Sequence, residues 1–300
     1  MSHTLIRREF LQIAGAAAAG SVCPCKKRQA DRAAAANPRG ARLRASCCAY
    51  SYRKYLSAGQ MSMEEFILKG VEYGLDAVDM TTYWFKSTEP SYLAHLRHFA
   101  YKNGMPFSGA AIGTNMCQAD PNKRAAELEK IKQWVDRTQM LGTSHLRVFG
   151  GELPKDATLE QGIRWVAETM KPACDYAAQK GIIIGIENHH GITEKASTII
   201  EILRRVDSPF AGINLDIGNY HEDQYPQLEA SVPFATHVHV KSVFSGTKGP
   251  VDFERVWQIL AKGGYRGFTS LEYEDETEAM DAVPKKLTLI KSLCRKYSEA

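Results

Sequence analysis

Eight strand-like apolar runs alternate with helix-like runs from residue 42 onward, and this alternation limits the fold more than any other feature of the chain. The predicted strands end near residues 50, 79, 112, 147, 187, 216, 239 and 272. The intervals between those ends measure 23 to 40 residues, which is the length of one strand–helix unit. Eight such units, joined by right-handed crossovers, are what a closed (β/α)8 barrel, or TIM barrel, requires.

Glycines end several of the predicted helices, as at Gly74, Gly104 and Gly142, because glycine readily adopts the left-handed backbone of a helix C-terminus. An open doubly wound sheet is the alternative fold. It would normally carry a glycine-rich phosphate loop after its first strand, and none follows Tyr50. Since one α/β barrel takes about 250 residues, we predict a single barrel domain over residues 41–300.

Residues 1–40 differ in composition and resemble a twin-arginine export signal. Arg7 and Arg8 precede the apolar pair Phe10 and Leu11, and a short alanine-rich stretch follows. This pattern predicts export to the bacterial periplasm, with the twin-arginine translocase as a partner. A disordered basic N-terminus is the alternative. No apolar run approaches the ~20 residues that span a bilayer, so we expect no stable membrane insertion.

The positive charge of the chain belongs to this leader. Residues 1–40 hold seven Lys/Arg and two Asp/Glu, a net charge of +5, whereas the whole chain carries +4. Residues 41–300 therefore carry about −1. A nearly neutral barrel offers no electrostatic attraction for a phosphate backbone, so no nucleic-acid partner is expected.

The cysteines are predicted to be free thiols. The chain has seven, of which two lie in the leader and five in the barrel segment. The spacing of those five matches no zinc-binding motif. Cys47 and Cys48 are neighbours in a predicted strand, so their side chains point to opposite faces.

Polar side chains able to bind a metal ion end four consecutive predicted strands. They are Glu187, then Asp216, then His237 and His239, and finally Glu272 and Glu274. The carboxyl ends of barrel strands form the rim that carries the active site. Buried carboxylates need a partner, and a divalent cation could serve all four strands. Ion pairs with Arg147 and Lys241 are the alternative. Strand alternation cannot choose within the histidine pair or the glutamate pair.

The fragments IENHHG, LDIGN, HVHVK and SLEYE, with LRVFGG after the fourth strand, resemble the sugar phosphate isomerase/epimerase family of xylose isomerase-like barrels. The resemblance covers residues 42–298. It implies one divalent metal ion held by Glu187, Asp216, His239 and Glu272, and so selects His239 and Glu272 from the two pairs. It also implies that Glu187 and Glu272 are the catalytic acid and base.

The chemistry of this ligand set agrees with a sugar isomerase or epimerase. Three carboxylates and one imidazole suit Mn²⁺ or Mg²⁺, with Co²⁺ or Zn²⁺ as alternatives. A polarised substrate carbonyl acidifies the adjacent C–H bond. One glutamate can then remove the proton and the other return it, through a cis-enediolate.

Four further residues are candidates for substrate binding. His189 and Lys241 share the inward parity of the strands to which they belong, and Arg147 ends the fourth strand. A capping role for His189 and a plain ion-pair role for Lys241 are the alternatives. Asn219 stands where family epimerases often carry a histidine, which leaves the substrate open.

Other functions use the same fold. A lyase or dehydratase acting on a keto-sugar, an inosose or a 3-keto-glycoside would need the same metal site. A barrel endonuclease would need more histidine ligands and a basic groove, and a non-catalytic sugar-binding protein would bind its ligand without metal. Because no glycine-rich phosphate cradle is evident, we expect a small free sugar or keto-sugar as substrate. A homo-oligomer is compatible with the sequence.

Overall fold

The computed structural model describes residues 40–275 and 277–298. The predicted export signal lies outside these residues. Eight strands form the sheet, each followed by a helix. The strands are β1 (Arg42–Cys48), β2 (Ala77–Thr81), β3 (Phe107–Ala111), β4 (His145–Phe149), β5 (Ile183–Glu187), β6 (Ala211–Asp216), β7 (Ala235–Val240) and β8 (Arg266–Leu271). A five-residue helix, Arg53–Ser57, follows β1. The longer helices are α1 (Met63–Glu72), α2 (Pro90–Lys102), α3 (Pro121–Leu141), α4 (Leu159–Ala178), α5 (Ala196–Val206), α6 (Gln224–Ser231), α7 (Phe253–Lys262) and α8 (Ala279–Tyr297).

The sheet closes into a barrel of parallel strands in chain order. β1 pairs with β2 at Cys48 and Asp79, and with β8 at Cys47 and Leu271, which seals the ring. The predicted TIM barrel is therefore confirmed, and the observed strand ends lie within two residues of the predicted ones. Among the described residues, no helix combines the length and the apolar character needed to cross a bilayer.

The helices begin and end where the sequence provides caps. Ser62 and Glu65 form a reciprocal capping box at the start of α1, and Thr158 and Gln161 form another at the start of α4. Gly142 ends α3 with φ of 83°, a left-handed conformation that favours glycine. These caps satisfy the unpaired backbone groups of helix ends and fix the lengths of the units around the barrel.

The two faces of the strands have different environments. Outward side chains such as Ile184, Ile186 and Ile213 are fully buried against the helices. The barrel interior is instead polar: His145 stacks on His237 with ring centroids 5.0 Å apart. The five cysteines that the structure describes are buried free thiols, as predicted. The helix layer thus supplies the apolar core, and the barrel interior supplies the polar groups of the site.

Candidate metal centre and catalytic rim

The four side chains predicted as metal ligands meet at the carboxyl end of the barrel. Nδ1 of His239 lies 3.3 Å from Oε2 of Glu187 and 3.6 Å from Oε2 of Glu272. Glu187, Asp216 and His239 each offer a ligand atom within 4.8 Å of the other two. All four side chains are buried. The strand order β5–β8 explains this, because neighbouring strands end at the same rim.

Two of these atoms lack hydrogen-bond partners. Among the residues that the structure describes, neither Nδ1 of His239 nor Oδ2 of Asp216 makes a hydrogen bond. Oδ2 of Asp216 lies 3.2 Å from Nζ of Lys241, an ion-pair contact without hydrogen-bond alignment. Leaving a buried polar group unsatisfied costs about 1–3 kcal/mol. A cation bound between these two atoms would satisfy both of them. The four predicted ligands together offer mostly oxygen atoms, which suit a hard divalent ion.

The buried charges do not balance. In the described part of the chain, the buried acidic side chains are four and the buried cationic ones two. They are Asp79, Glu187, Asp216 and Glu272 against Arg147 and Lys241. Counted with every carboxylate ionised and every imidazole neutral, as binding of a cation would require, this set carries two more negative than positive charges, which one divalent cation would neutralise. The ion pairs of the alternative interpretation do form, since Nε of Arg147 lies 3.3 Å from Oε2 of Glu187, but they cannot neutralise the site.

The pKa values reflect this excess. Burial raises the pKa of Asp216 to about 8, and the nearby charges of Glu272 and Glu187 act in the same direction against Lys241. Burial acts to lower the pKa of His239, but Glu272, Asp79 and Glu187 raise it well above its usual value. In Glu272, burial acts to raise the pKa, yet Lys241 and His239 hold it well below the usual range. The carboxylates thus compete for too few positive charges.

Asp79 is a part of the site that the sequence analysis missed. It lies on β2, on the far side of the ring, and its Oδ2 accepts a hydrogen bond from Nε2 of His239 at 2.8 Å. Its exposed fraction is 2%. An acidic residue within the otherwise apolar strand AVDMT was the available signal, because such a side chain is buried only beside a partner.

The structure also separates His239 from His237, and Glu272 from Glu274. His237 lies one layer deeper in the barrel, stacked on His145, whereas His239 faces the carboxylates. Glu274 is 35% exposed and binds Nζ of Lys241 at 2.8 Å. His239 and Glu272 therefore lie in contact with each other at the rim, and the assignment of the metal ligands stays a prediction.

The predicted substrate-binding residues surround the ligand cluster in different ways. Nζ of Lys241 lies 3.1 Å from Oδ1 of Asn219 and 3.6 Å from Oε2 of Glu272. Asn219 also donates to the backbone carbonyl of Asn188. Lys241 and Asn219 therefore form one hydrogen-bonded unit beside the ligands.

Arg147 and His189 occupy distinct positions. Arg147 is buried, with its guanidinium carbon 4.0 Å from the centroid of the Phe149 ring, so its main contacts are Phe149 and Glu187. His189 is half-buried, and its ring lies 4.7 Å from the same Phe149 ring. Burial lowers the pKa of His189 to about 4, so its imidazole is neutral near pH 7 and able to accept a hydrogen bond.

Comparisons with known proteins identify the family and the fold. The family model described as xylose isomerase-like TIM barrel matches residues 68–293. L-ribulose-5-phosphate 3-epimerase UlaE of Escherichia coli is 23% identical over 252 residues, covering 75% of this chain and 87% of its own length.

Solved structures resemble the fold. D-allulose 3-epimerase from Methylomonas sp. superposes with a TM-score of 0.69 at 21% identity, over 84% of this chain and 98% of its own. The probable 3-DHS dehydratase AsbF from Bacillus anthracis superposes with a TM-score of 0.68 at 17% identity, over 83% of this chain and 98% of its own. At such identities the likeness establishes the fold and leaves the reaction open.

Proposed function

The chain belongs to the xylose isomerase-like TIM barrel family, and from this membership and the geometry of the rim we propose that it is a divalent-metal-dependent sugar isomerase or epimerase. The observation that carries the proposal is the buried excess of two negative charges, counted with neutral imidazoles, around two ligand atoms that make no hydrogen bond among the described residues. The relatives named above include epimerases of a ketopentose phosphate and of a ketohexose, and they support this reaction class.

The proposed metal ligands are Glu187, Asp216, His239 and Glu272. A bound divalent ion would polarise the substrate carbonyl and so lower the pKa of the neighbouring C–H bond. Mn²⁺ and Mg²⁺ suit the three carboxylates best. Among the proposed ligand atoms, Nδ1 of His239 lies at the centre, since two carboxylate oxygens lie within 3.6 Å of it.

Glu187 and Glu272 are the proposed proton-transfer groups. They extend from β5 and β8, three strands apart around the ring, so they approach a bound sugar from two sides. One carboxylate takes the C–H proton, and the electron pair moves into the C=C bond of the enediolate. The other glutamate, which has first taken up a proton from solvent, returns it to carbon. Return to the opposite face of the same carbon gives an epimer. Return to the former carbonyl carbon gives an isomer, once the remaining hydroxyl proton moves to the neighbouring oxygen.

The remaining polar residues would orient the sugar. The pairing of Lys241 with Asn219 places an ammonium group and an amide beside the ligands. Neutral His189 can accept a hydrogen bond from a sugar hydroxyl. Neither the sequence nor the rim offers a glycine-rich phosphate cradle within the described residues, which favours a free sugar or keto-sugar as substrate.

Solvent deuterium uptake tests the proposal. Purified protein is loaded with Mn²⁺ and incubated in deuterated water with a panel of free ketopentoses and ketohexoses. We expect deuterium to appear at the carbon beside the carbonyl in at least one sugar. Glu187→Gln and Glu272→Gln should lose this uptake by roughly 10²–10⁴-fold. Glu229→Gln, an exposed change on α6, serves as the control. Uptake at the wild-type rate in Glu187→Gln would contradict the proposal.

A lyase is the second candidate. The buried ammonium of Lys241, 3.2 Å from Asp216 and 3.6 Å from Glu272, could protonate a departing β-oxygen of the same enediolate. Mass analysis of the products from the same panel separates the two reactions. Isomerisation and epimerisation conserve mass, whereas loss of water or of an alcohol identifies the lyase.

A further inference from the structure

We propose that Asp79 is a positioning residue that holds His239 in the tautomer and orientation needed for metal binding through Nδ1. The inference rests on the proposed function, because it concerns the same metal site. It assigns a role to a residue on β2, a strand that supplies no ligand.

The hydrogen bond between His239 and Asp79 is short and buried. Nε2 of His239 donates to Oδ2 of Asp79 at 2.8 Å, and the exposed fractions of the two residues are 0% and 2%. A neutral imidazole carries one proton. If Asp79 holds that proton on Nε2, Nδ1 keeps its lone pair, and Nδ1 is the atom that faces Glu187 and Glu272.

Asp79 lies among His239, His237 and Cys48, and Cys48 offers an atom within 4.8 Å of both Asp79 and His239. Among the residues that the structure describes, the ion-pair contacts of Asp79 are to two imidazoles, His239 at 2.8 Å and His237 at 3.9 Å. Only the contact with His239 is short enough for a hydrogen bond. Within residues 40–275 and 277–298, no lysine or arginine forms an ion pair with Asp79. Its charge is therefore available to polarise the imidazole of His239 and make Nδ1 a stronger electron-pair donor to a metal ion. Hydrogen bonds of this kind commonly fix the ring of a metal-binding histidine.

Backbone pairing and close packing hold Asp79 in place. Its backbone pairs with Cys48 on β1 and with Gly109 on β3. A Cβ atom added at Gly109 would lie 3.4 Å from Oδ1 of Asp79 and 3.3 Å from Nδ1 of His145. A side chain at this position would touch the carboxylate, so the glycine leaves room for Asp79 in its observed position.

Cobalt binding tests the inference without relying on turnover. Full-length protein is stripped of metal and titrated with Co²⁺, whose visible absorption reports the ligand field. Asp79→Asn keeps the size of the side chain but removes its charge, and Asp79→Ala removes the hydrogen bond as well. We expect the affinity for Co²⁺ to fall by roughly 10–100-fold, with the larger loss in Asp79→Ala.

A matched control separates positioning from general damage to the barrel. Ser46→Ala removes another buried polar contact, Oγ of Ser46 to Oγ of Ser108 at 2.9 Å, and should leave Co²⁺ affinity unchanged. Proton NMR of the Co²⁺ protein gives a second readout: the shifted, slowly exchanging N–H signal of the ligating imidazole should exchange faster in both Asp79 variants. Melting of the metal-free proteins shows that each variant is folded.

The outcomes distinguish this inference from the proposed function. If the folded Asp79 variants bind Co²⁺ within twofold of the wild type, the inference is wrong, even when the wild type exchanges deuterium into a sugar. If no sugar is turned over but Co²⁺ affinity depends on Asp79, the inference holds and the proposed function is wrong.

Discussion

At the scale of single residues, the barrel interior contains histidines in two opposite electrostatic settings. His239 faces carboxylates, which raise its pKa well above the usual value against the effect of burial. His145, one layer deeper, is buried beside another imidazole, and burial together with His237 lowers its pKa well below the usual range. Without a bound cation, histidine therefore favours its charged form at the rim and its neutral form beneath it; a cation among the carboxylates would remove the cause of the raised pKa of His239.

The neutral state of His145 predicts a pH dependence of stability. Its pKa is depressed in the native state, so the unfolded chain binds a proton near pH 6.5 that the native state does not. The contribution of His145 is complete above that pH and is lost as the pH falls below it. The free energy of unfolding should fall by about 1.4 kcal/mol per pH unit for this one proton.

His145→Asn should therefore make the slope shallower between pH 6.5 and pH 5, whatever its effect on absolute stability. Urea unfolding in the presence of a chelator, at several pH values, measures the slope. His98→Asn changes an exposed histidine on α2 and serves as the control. An unchanged slope in His145→Asn would show that His145 is not the group that takes up the proton.

At the scale of elements, β5 shows how one strand serves both the core and the site. Ile184 and Ile186 point outward into the helix layer and are fully buried. Gly185 and Glu187 point inward, where Glu187 reaches the metal site. The glycine lies beneath the glutamate and makes room for His145 from the neighbouring strand.

The space beside Gly185 predicts a large effect of a small substitution. A Cβ atom there would lie 2.4 Å from Nε2 of His145 and 3.2 Å from the backbone nitrogen of Asn214. Gly185→Ala should destabilise the protein by about 1–3 kcal/mol through overpacking, measured as a lower melting temperature.

Gly249→Ala is the matched control, because its added Cβ would meet only Oγ1 of Thr247, at 3.4 Å, and it should melt close to the wild type. A Gly185→Ala protein that melts within about 1 °C of the wild type would be incompatible with this close packing.

At the scale of the whole molecule, charge is divided into three regions. The predicted leader carries +5, and residues 41–300 carry about −1. Within the barrel, the buried excess of two negative charges lies at one end, beside Lys241 and Arg147. A nearly neutral exterior and a negative interior suit a small, metal-bound substrate better than a polyanion.

The leader supports a proposal about the whole chain: export by the twin-arginine route. The receptor of this route recognises the two guanidinium groups. Lysine carries the same charge but lacks the planar set of N–H donors that a guanidinium group presents. Replacing Arg7 and Arg8 by lysine should therefore retain the protein in the cytoplasm of a bacterial host, measured by cell fractionation. Replacing Lys26 and Lys27 by arginine should leave export intact. Normal export of the paired-lysine variant would rule out this route.

The sequence by itself determined the fold and the kinds of group at the rim. The alternation of strands and helices is a local property, set by backbone hydrogen bonding and by the direction in which apolar side chains point. Eight repeats of this unit predict a closed barrel. Because parallel strands end at one rim, Glu187, Asp216 and His239 could be placed together before any contact was known. The choice of His239 over His237 came from the family resemblance, since both share one parity.

Only the tertiary structure decided which groups meet across the barrel. Asp79 and His239 are 160 residues apart, and no local pattern records that their side chains touch. The pairing of Arg147 with Glu187, and the two ligand atoms left without hydrogen bonds, likewise depend on closure of the ring and on side-chain rotamers. Strand periodicity specifies the direction of a side chain, whereas its partner depends on the three-dimensional packing of the whole barrel.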